Sequence, residues 1–192
     1  MNVLIVAATK FEITSDKIRH KPVLITQVGM VNTAIKLTKE LLRNQYDLVI
    51  NMGVAGSFSN ELKNGDLVEV VEDNFSEIGF ENELGIAKFT DFDLKTKYLT
   101  KSRTSLKKVR AITVNTVHGR DYTISEVIER ETPEIESMEG ASVFKVCEEF
   151  NVPCIQIRSI SNKVERRNKN NWDLELAIKN LNLEVEKIID DL

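Results

Sequence analysis

The chain has little of what would staple, break or anchor it. Only two cysteines and three prolines occur in 192 residues, and Cys147 and Cys154 both sit inside apolar patterns. With no histidine pair beside them they do not make a zinc site, so buried free thiols are expected. No apolar run approaches the length that crosses a bilayer. The apolar opening at residues 1–8 is too short for a signal peptide, lacks a basic leader and runs directly into Lys10 and Glu12. A cytoplasmic protein without a membrane partner is the expectation. Aromatics are sparse, at 6 %, and none is interleaved with the basic stretches Lys101–Arg103, Lys107–Lys108 and Arg166–Lys169. Those stretches therefore read as solvated loops and not as a nucleic-acid groove, and the formal charge of −4 points the same way.

What is present is an ordinary globular mixture, 42 % hydrophobic and 29 % charged, of a length that suits one domain over residues 1–192. Continuous aliphatic runs at 2–8, 22–28, 47–52, 67–71, 109–114 and 153–160 predict strands covered on both faces. Helical periods appear at 31–43, 121–131, 140–151 and 172–192. In the first of these, Val31, Ala34, Ile35, Thr38, Leu41 and Leu42 form the apolar face. Asn64-Gly65-Asp66 is a turn signal, and residues 73–108 have no steady period. The alternation predicts an α/β fold: a single three-layer domain with a central mixed, largely parallel sheet flanked by helices.

Ligands in such folds gather at the carboxyl ends of strands. The polar residues Thr9 and Glu12 follow the first strand, and Gly53-Val54-Ala55-Gly56 follows the third. Further along come Asn115 to Gly119, Glu136 to Gly140, and Ser161-Asn162. Each has a bland reading. The glycine pair is neither a P-loop nor a dinucleotide fingerprint and suits a tight turn. Glu12 fits a first-turn surface acid, Glu139 a helix N-terminus, and Asn162 a loop residue bonded to its own backbone. Their concurrence at strand ends argues for a pocket.

Asn51-Met-Gly-Val-Ala-Gly-Ser57, Asn64-Gly-Asp-Leu-Val68, Glu136-Ser-Met-Glu-Gly-Ala141 and Arg158-Ser-Ile-Ser-Asn162, in this order, resemble the nucleoside phosphorylase/nucleosidase superfamily over nearly the whole chain. Within it the nearest likeness is to the futalosine hydrolases, carried by Thr113 to Gly119, Ile160-Ser-Asn162 and the stretch from Arg166 to Trp172. The methylthioadenosine/S-adenosylhomocysteine nucleosidases usually carry an acid where this chain has Ser137, and Asp where it has Asn162.

The resemblance implies a hydrolase that releases hypoxanthine from futalosine in menaquinone biosynthesis, with a purine nucleoside as its small-molecule partner. Glu12 matches the water-activating carboxylate, a role that supplies roughly 10²–10⁴-fold in rate. Glu139 matches the acceptor for the ribose hydroxyls, and Met138 would pack on the sugar face. Ala55, Gly56 and Val117 fall among the substrate-binding positions. An amide at Asn162 meets the N7 and O6 edge of a 6-oxopurine without transferring a proton, whereas adenine calls for an acid there.

Hydrolysis is favoured over phosphorolysis because Lys10, Arg19 and His20 make no compact anion site. No metal and no organic cofactor is implied, and the resemblance implies a homo-oligomer, a dimer or larger, with a neighbour closing the pocket. His20 and His118 read first as structural, and His118 also lies near the expected purine. Arg158 reads as half of a buried ion pair. Phe75, Phe80, Phe89 and Phe92 are candidates for the slot of the substrate's apolar tail, with core packing the equal alternative. The competing readings are an adenine nucleosidase, a phosphorylase acting on inosine, and a silent purine-binding domain.

Overall fold

The computed structural model describes residues 1–83 and 85–192. In chain order the elements are β1 (Val3–Ala7), α1 (Asp16–Arg19), β2 (Val23–Ile25), α2 (Met30–Arg43), β3 (Leu48–Ser57), β4 (Leu67–Phe75), β5 (Phe80–Asn82), β6 (Gly85–Ala87), β7 (Lys97–Leu99), β8 (Lys107–Thr113), α3 (Asp121–Glu131), β9 (Ile135–Ser137), α4 (Gly140–Glu149), β10 (Cys154–Lys163) and α5 (Leu174–Asp190). Strand side chains alternate between faces, and β1 shows the result. Leu4 and Val6 join a core with Leu37 and Leu41 of α2 and Val143 of α4, while Val3, Ile5 and Ala7 join one with Ile18 of α1 and Leu181, Val185 and Ile188 of α5. The sheet is thus covered by helices on both sides.

The expected mixed sheet is present, with an addition: part of it closes on itself. β3 keeps β10 along one edge throughout. On its other edge it pairs with β1 over Leu48–Asn51 and with β9 at Gly56 and Ser57. β10 also pairs with β4, β4 with β8, and β8 with β9, so these five strands form a ring. Within it β9 runs antiparallel to β3. The residues after β9 therefore turn back along β3, and the site sits where two strand directions meet.

Several boundaries depart from the sequence pattern. Gly53 to Gly56 is not a turn; β3 runs through it to Ser57. β9 falls in a stretch to which the sequence pattern assigned no element, and β4 extends to Phe75, past its predicted end. The predicted turn at Gly65 is there, with a positive φ of 86° that favours glycine. Helix α2 buries Thr33, Leu37 and Leu41, so of the face the periodicity suggested only Leu41 is buried. Val31, Ile35 and Leu42 stand 65 %, 50 % and 70 % exposed, because the helix carries two apolar stripes and only one meets the sheet.

Candidate active site

A short 3₁₀ turn, Lys10–Glu12, follows β1. The Thr9 amide and hydroxyl donate to Glu12 Oε2 at 2.8 and 3.2 Å, fixing that side of the carboxylate. The turn is tied to α5 by Asn182, a buried amide inside an otherwise apolar helix face. Its Nδ2 donates to the Glu12 carbonyl at 2.9 Å, and its Oδ1 accepts from Thr14 N and Ser15 N at 2.9 and 3.1 Å. A Cβ on Gly53 would lie 3.0 Å from Glu12 Oε1 and 3.2 Å from Arg158 Nη1. The glycine is thus what lets the acid and the guanidinium crowd the same point of β3.

Arg158 is only 1 % exposed. The buried ion pair expected of it is not formed among the described residues. Nη1 donates to the Ile157 carbonyl at 3.2 Å and Nε has no partner. It stands instead amid Glu139, Glu12 and Asp73, whose charges hold its proton on while burial works to lower its pKa. Such an arrangement balances several carboxylates with one fixed cation. Glu139, the residue before α4, accepts a 2.9 Å hydrogen bond from Gly29 N at the start of α2. Burial pushes its carboxyl up from the ordinary range, and the Gly29 N–H and Arg158 oppose that shift.

At the other end of the site, β10 carries a bulge: Ile160 pairs with Ala55 and Asn162 with Gly56, so Ser161 is the extra residue. A bulge re-aims the side chain beyond it, here Asn162. Its Oδ1 accepts from Ser161 Oγ at 2.8 Å and its Nδ2 donates to the Lys163 carbonyl at 2.9 Å. The loop-type reading of this amide is therefore partly met. Glu136 is buried beside it. Glu136 Oε1 accepts from His118 N at 3.0 Å, and Oε2 lies 2.6 Å from His118 Nδ1.

A cleft of about 370 Å³ joins these pieces. All seven residues singled out from the sequence, Glu12, Ala55, Gly56, Val117, Met138, Glu139 and Asn162, lie on its wall. Two further residues of the wall, Glu136 and Arg167, had been given no individual role from the sequence. Glu136 was placed only among the polar residues at strand ends, and Arg167 was read as part of a solvated basic run, although it lines the cleft and stacks over Trp172 at 5.1 Å. The proposed aromatic slot needs correction. Phe75 is core, edge-on to Tyr98, and Phe80, Phe89 and Phe92 pack on one another and are not among the cleft-lining residues. The apolar wall comes from Phe11, Val28, Trp172, Leu174 and Ile178.

Beneath the cleft floor lies a buried polar network. Asp73 accepts from Thr113 Oγ1 and Gln156 Nε2 at 2.9 and 2.8 Å, and Gln156 Oε1 accepts from Asn51 Nδ2 at 3.1 Å. Thr113 Oγ1 in turn accepts from Ala141 N at 2.8 Å, anchoring the first turn of α4 next to Glu139. Burial raises the Asp73 carboxyl to about 6, against the hydrogen bonds and Arg158, which lower it.

The profile of the phosphorylase superfamily matches residues 6–190. A 5'-methylthioadenosine/S-adenosylhomocysteine nucleosidase of Shewanella sediminis is 30 % identical over 84 % of this chain and 77 % of its own length. An aminodeoxyfutalosine nucleosidase of Helicobacter pylori is 29 % identical over 76 % of this chain and 68 % of its own length. Among solved structures, a mutant of the Helicobacter pylori methylthioadenosine nucleosidase holding 5'-methylthioadenosine superposes with a TM-score of 0.85 at 20 % identity, over 100 % of this chain and 99 % of the other. A futalosine hydrolase of the same organism gives 0.84 at 19 %, over 99 % and 97 %. Profile, relatives and architecture agree: the chain belongs to the phosphorylase superfamily, in the family of its nucleosidases.

Proposed function

We propose that the protein hydrolyses the N-glycosidic bond of a 6-oxopurine nucleoside, with futalosine as the substrate and hypoxanthine as the released base. The observation that carries this reading is the placement of Glu12, Glu139 and Asn162 on one cleft wall. Breaking the bond puts positive charge on the ribose and negative charge on the base, so a site must hold the sugar, activate water and receive the base. Glu12 has one oxygen fixed by Thr9 and the other turned toward Gly53 and Arg158, as suits a general base for water. Glu139 binds the ribose hydroxyls, Met138 covers the sugar face, and Ala55, Gly56 and Val117 flank the base. Asn162 meets its N7 and O6 edge.

A water-attack mechanism fits a site whose buried cation, Arg158, is surrounded by carboxylates, which would repel phosphate. The apolar wall of Phe11, Val28, Trp172, Leu174 and Ile178 receives the substrate's tail. Val28 is 48 % exposed beside the exposed stripe of α2, so a second copy seated on that stripe would close the cleft. Sedimentation velocity that returns only monomer would rule out this homo-oligomer. Cytoplasmic placement accords with the lack, among the described residues, of a helix long and apolar enough to cross a membrane.

A second reading, an adenine nucleosidase, is favoured by the two methylthioadenosine nucleosidases among the four relatives reported above. The two separate on product. The purified protein is given futalosine, inosine and methylthioadenosine, with and without phosphate, and the released base is identified by chromatography. Phosphate-independent hypoxanthine release, slowed about 10²–10⁴-fold in Glu12→Gln, is expected. Adenine as the main product would move the assignment to the second reading, and phosphate dependence would end the hydrolase assignment.

A further inference from the structure

Asn162 can accept and donate hydrogen bonds but is no acid, so on its own it leaves the base to depart as an anion. The structure points to a proton source beside it. We propose that His118, held by Glu136, is the general acid that protonates the departing base. This rests on the 6-oxopurine reading above.

Three observations carry it. First, the ring is fixed by one buried carboxylate that grips it twice, at the His118 backbone N–H and at Nδ1, with 3.0 and 2.6 Å contacts. The edge of Phe58 adds a T-shaped contact at 6.1 Å between ring centroids. Second, the Nδ1 contact to Glu136 leaves Nε2 as the nitrogen able to exchange a proton. A carboxylate that orients an imidazole through one nitrogen while the other does chemistry is the division of labour seen in hydrolytic triads. Third, His118 lines a recess of about 40 Å³ that shares Gly56, Val117, Glu136, Asn162, Arg167 and Trp172 with the main cleft. The ring therefore stands at the same end as the amide that receives the base.

Protonated His118 gives its Nε2 proton to the purine while the C1'–N9 bond breaks and its electron pair stays with the base. Water bonds to C1' and loses its proton to Glu12. Glu12 then releases a proton to solvent and His118 takes one up, so one water is consumed and the protein is restored. The charged groups around the ring are Glu136 on β9, Glu77 beyond β4, Arg120 before α3, and Lys163, Glu165 and Arg167 on and beyond β10.

The test compares wild type with His118→Asn on inosine and on p-nitrophenyl riboside, whose phenolate departs without a proton. The expected result is a fall in kcat on inosine of roughly 10²-fold or more, with KM little changed and hydrolysis of the phenyl riboside retained. A pH profile of the wild type adds a readout that needs no variant: kcat on inosine falls with rising pH as the acid loses its proton, and the phenyl riboside lacks that limb. Unchanged inosine hydrolysis in the variant, equal loss on both substrates, or no alkaline limb in the wild type would overturn the acid role. Preference of the wild type for adenine nucleosides overturns the 6-oxopurine reading instead, and the variant is then scored on the base actually released. No release of base from any nucleoside overturns both.

Discussion

Asn162 gives the sharpest prediction at the scale of one residue. Its amide is re-aimed by the Ser161 bulge and hydrogen-bonded on both sides, which leaves its remaining capacity for the base edge. Asn162→Asp replaces a donor with a second acceptor or an acid. An unpaired buried polar group costs about 1–3 kcal/mol, so the ratio of adenine to hypoxanthine release should rise roughly 10–100-fold, measured by competing inosine and adenosine in one vessel. An unchanged ratio would mean that this amide does not read the base. Individual letters were the most legible part of the sequence, because Glu12, Met138, Glu139 and Asn162 sit in recognisable blocks. The role of Glu136 was not legible: although it opens a recognisable block, this carboxylate takes its meaning from a histidine 18 positions away in sequence. Arg158 was read as half of an ion pair, because an apolar strand does not announce that three acids from other elements will converge on it.

At the scale of the element, the start of α4 decides whether Glu139 is in place. Gly140 is packed so closely on the network below that an added Cβ would lie 2.1 Å from Asp73 Oδ2 and 2.5 Å from Gln156 Nε2. Gly140→Ala should therefore cost about 1–3 kcal/mol, the usual range for overpacking, and should lower kcat by displacing the neighbouring Glu139. Gly119→Ala is the control, because its Cβ would meet only Arg167, at ordinary distances of 3.5 Å to Cβ and 3.9 Å to N. Calorimetry and steady-state rates on both variants check this, and equal effects would remove the steric argument. Elements were legible where burial on two faces enforced a long apolar run, as in β1, β8 and β10. They were illegible where pairing was short or partnered by distant strands, as in β5, β6, β7 and β9. On α2 the period was right but the phase was not, because Leu37, the residue that decides which stripe goes inward, had been left out of the apolar set.

For the whole molecule, pH reports on the buried network. Asp73 titrates near 3.8 in an unfolded chain and at about 6 when folded, so the folded form holds the proton more tightly. The contribution of this group to stability is present below about pH 4 and lost as pH rises through about 6, with an order of magnitude of about 3 kcal/mol. Asp73→Asn cannot ionise, so its stability relative to wild type should increase from pH 4 to pH 7 in urea unfolding. A constant difference across that range would show that Asp73 does not titrate there. The ring of β3, β10, β4, β8 and β9 has a further consequence at this scale. A strand hydrogen-bonded along both sides cannot slide past its neighbours unless the whole circuit opens, and Gly53, Gly56, Arg158, Glu136 and Asn162 all lie on such strands. Evolution of a new base preference on this scaffold is therefore confined to exchanging side chains at fixed addresses, since backbone repositioning would require breaking the circuit that makes the fold.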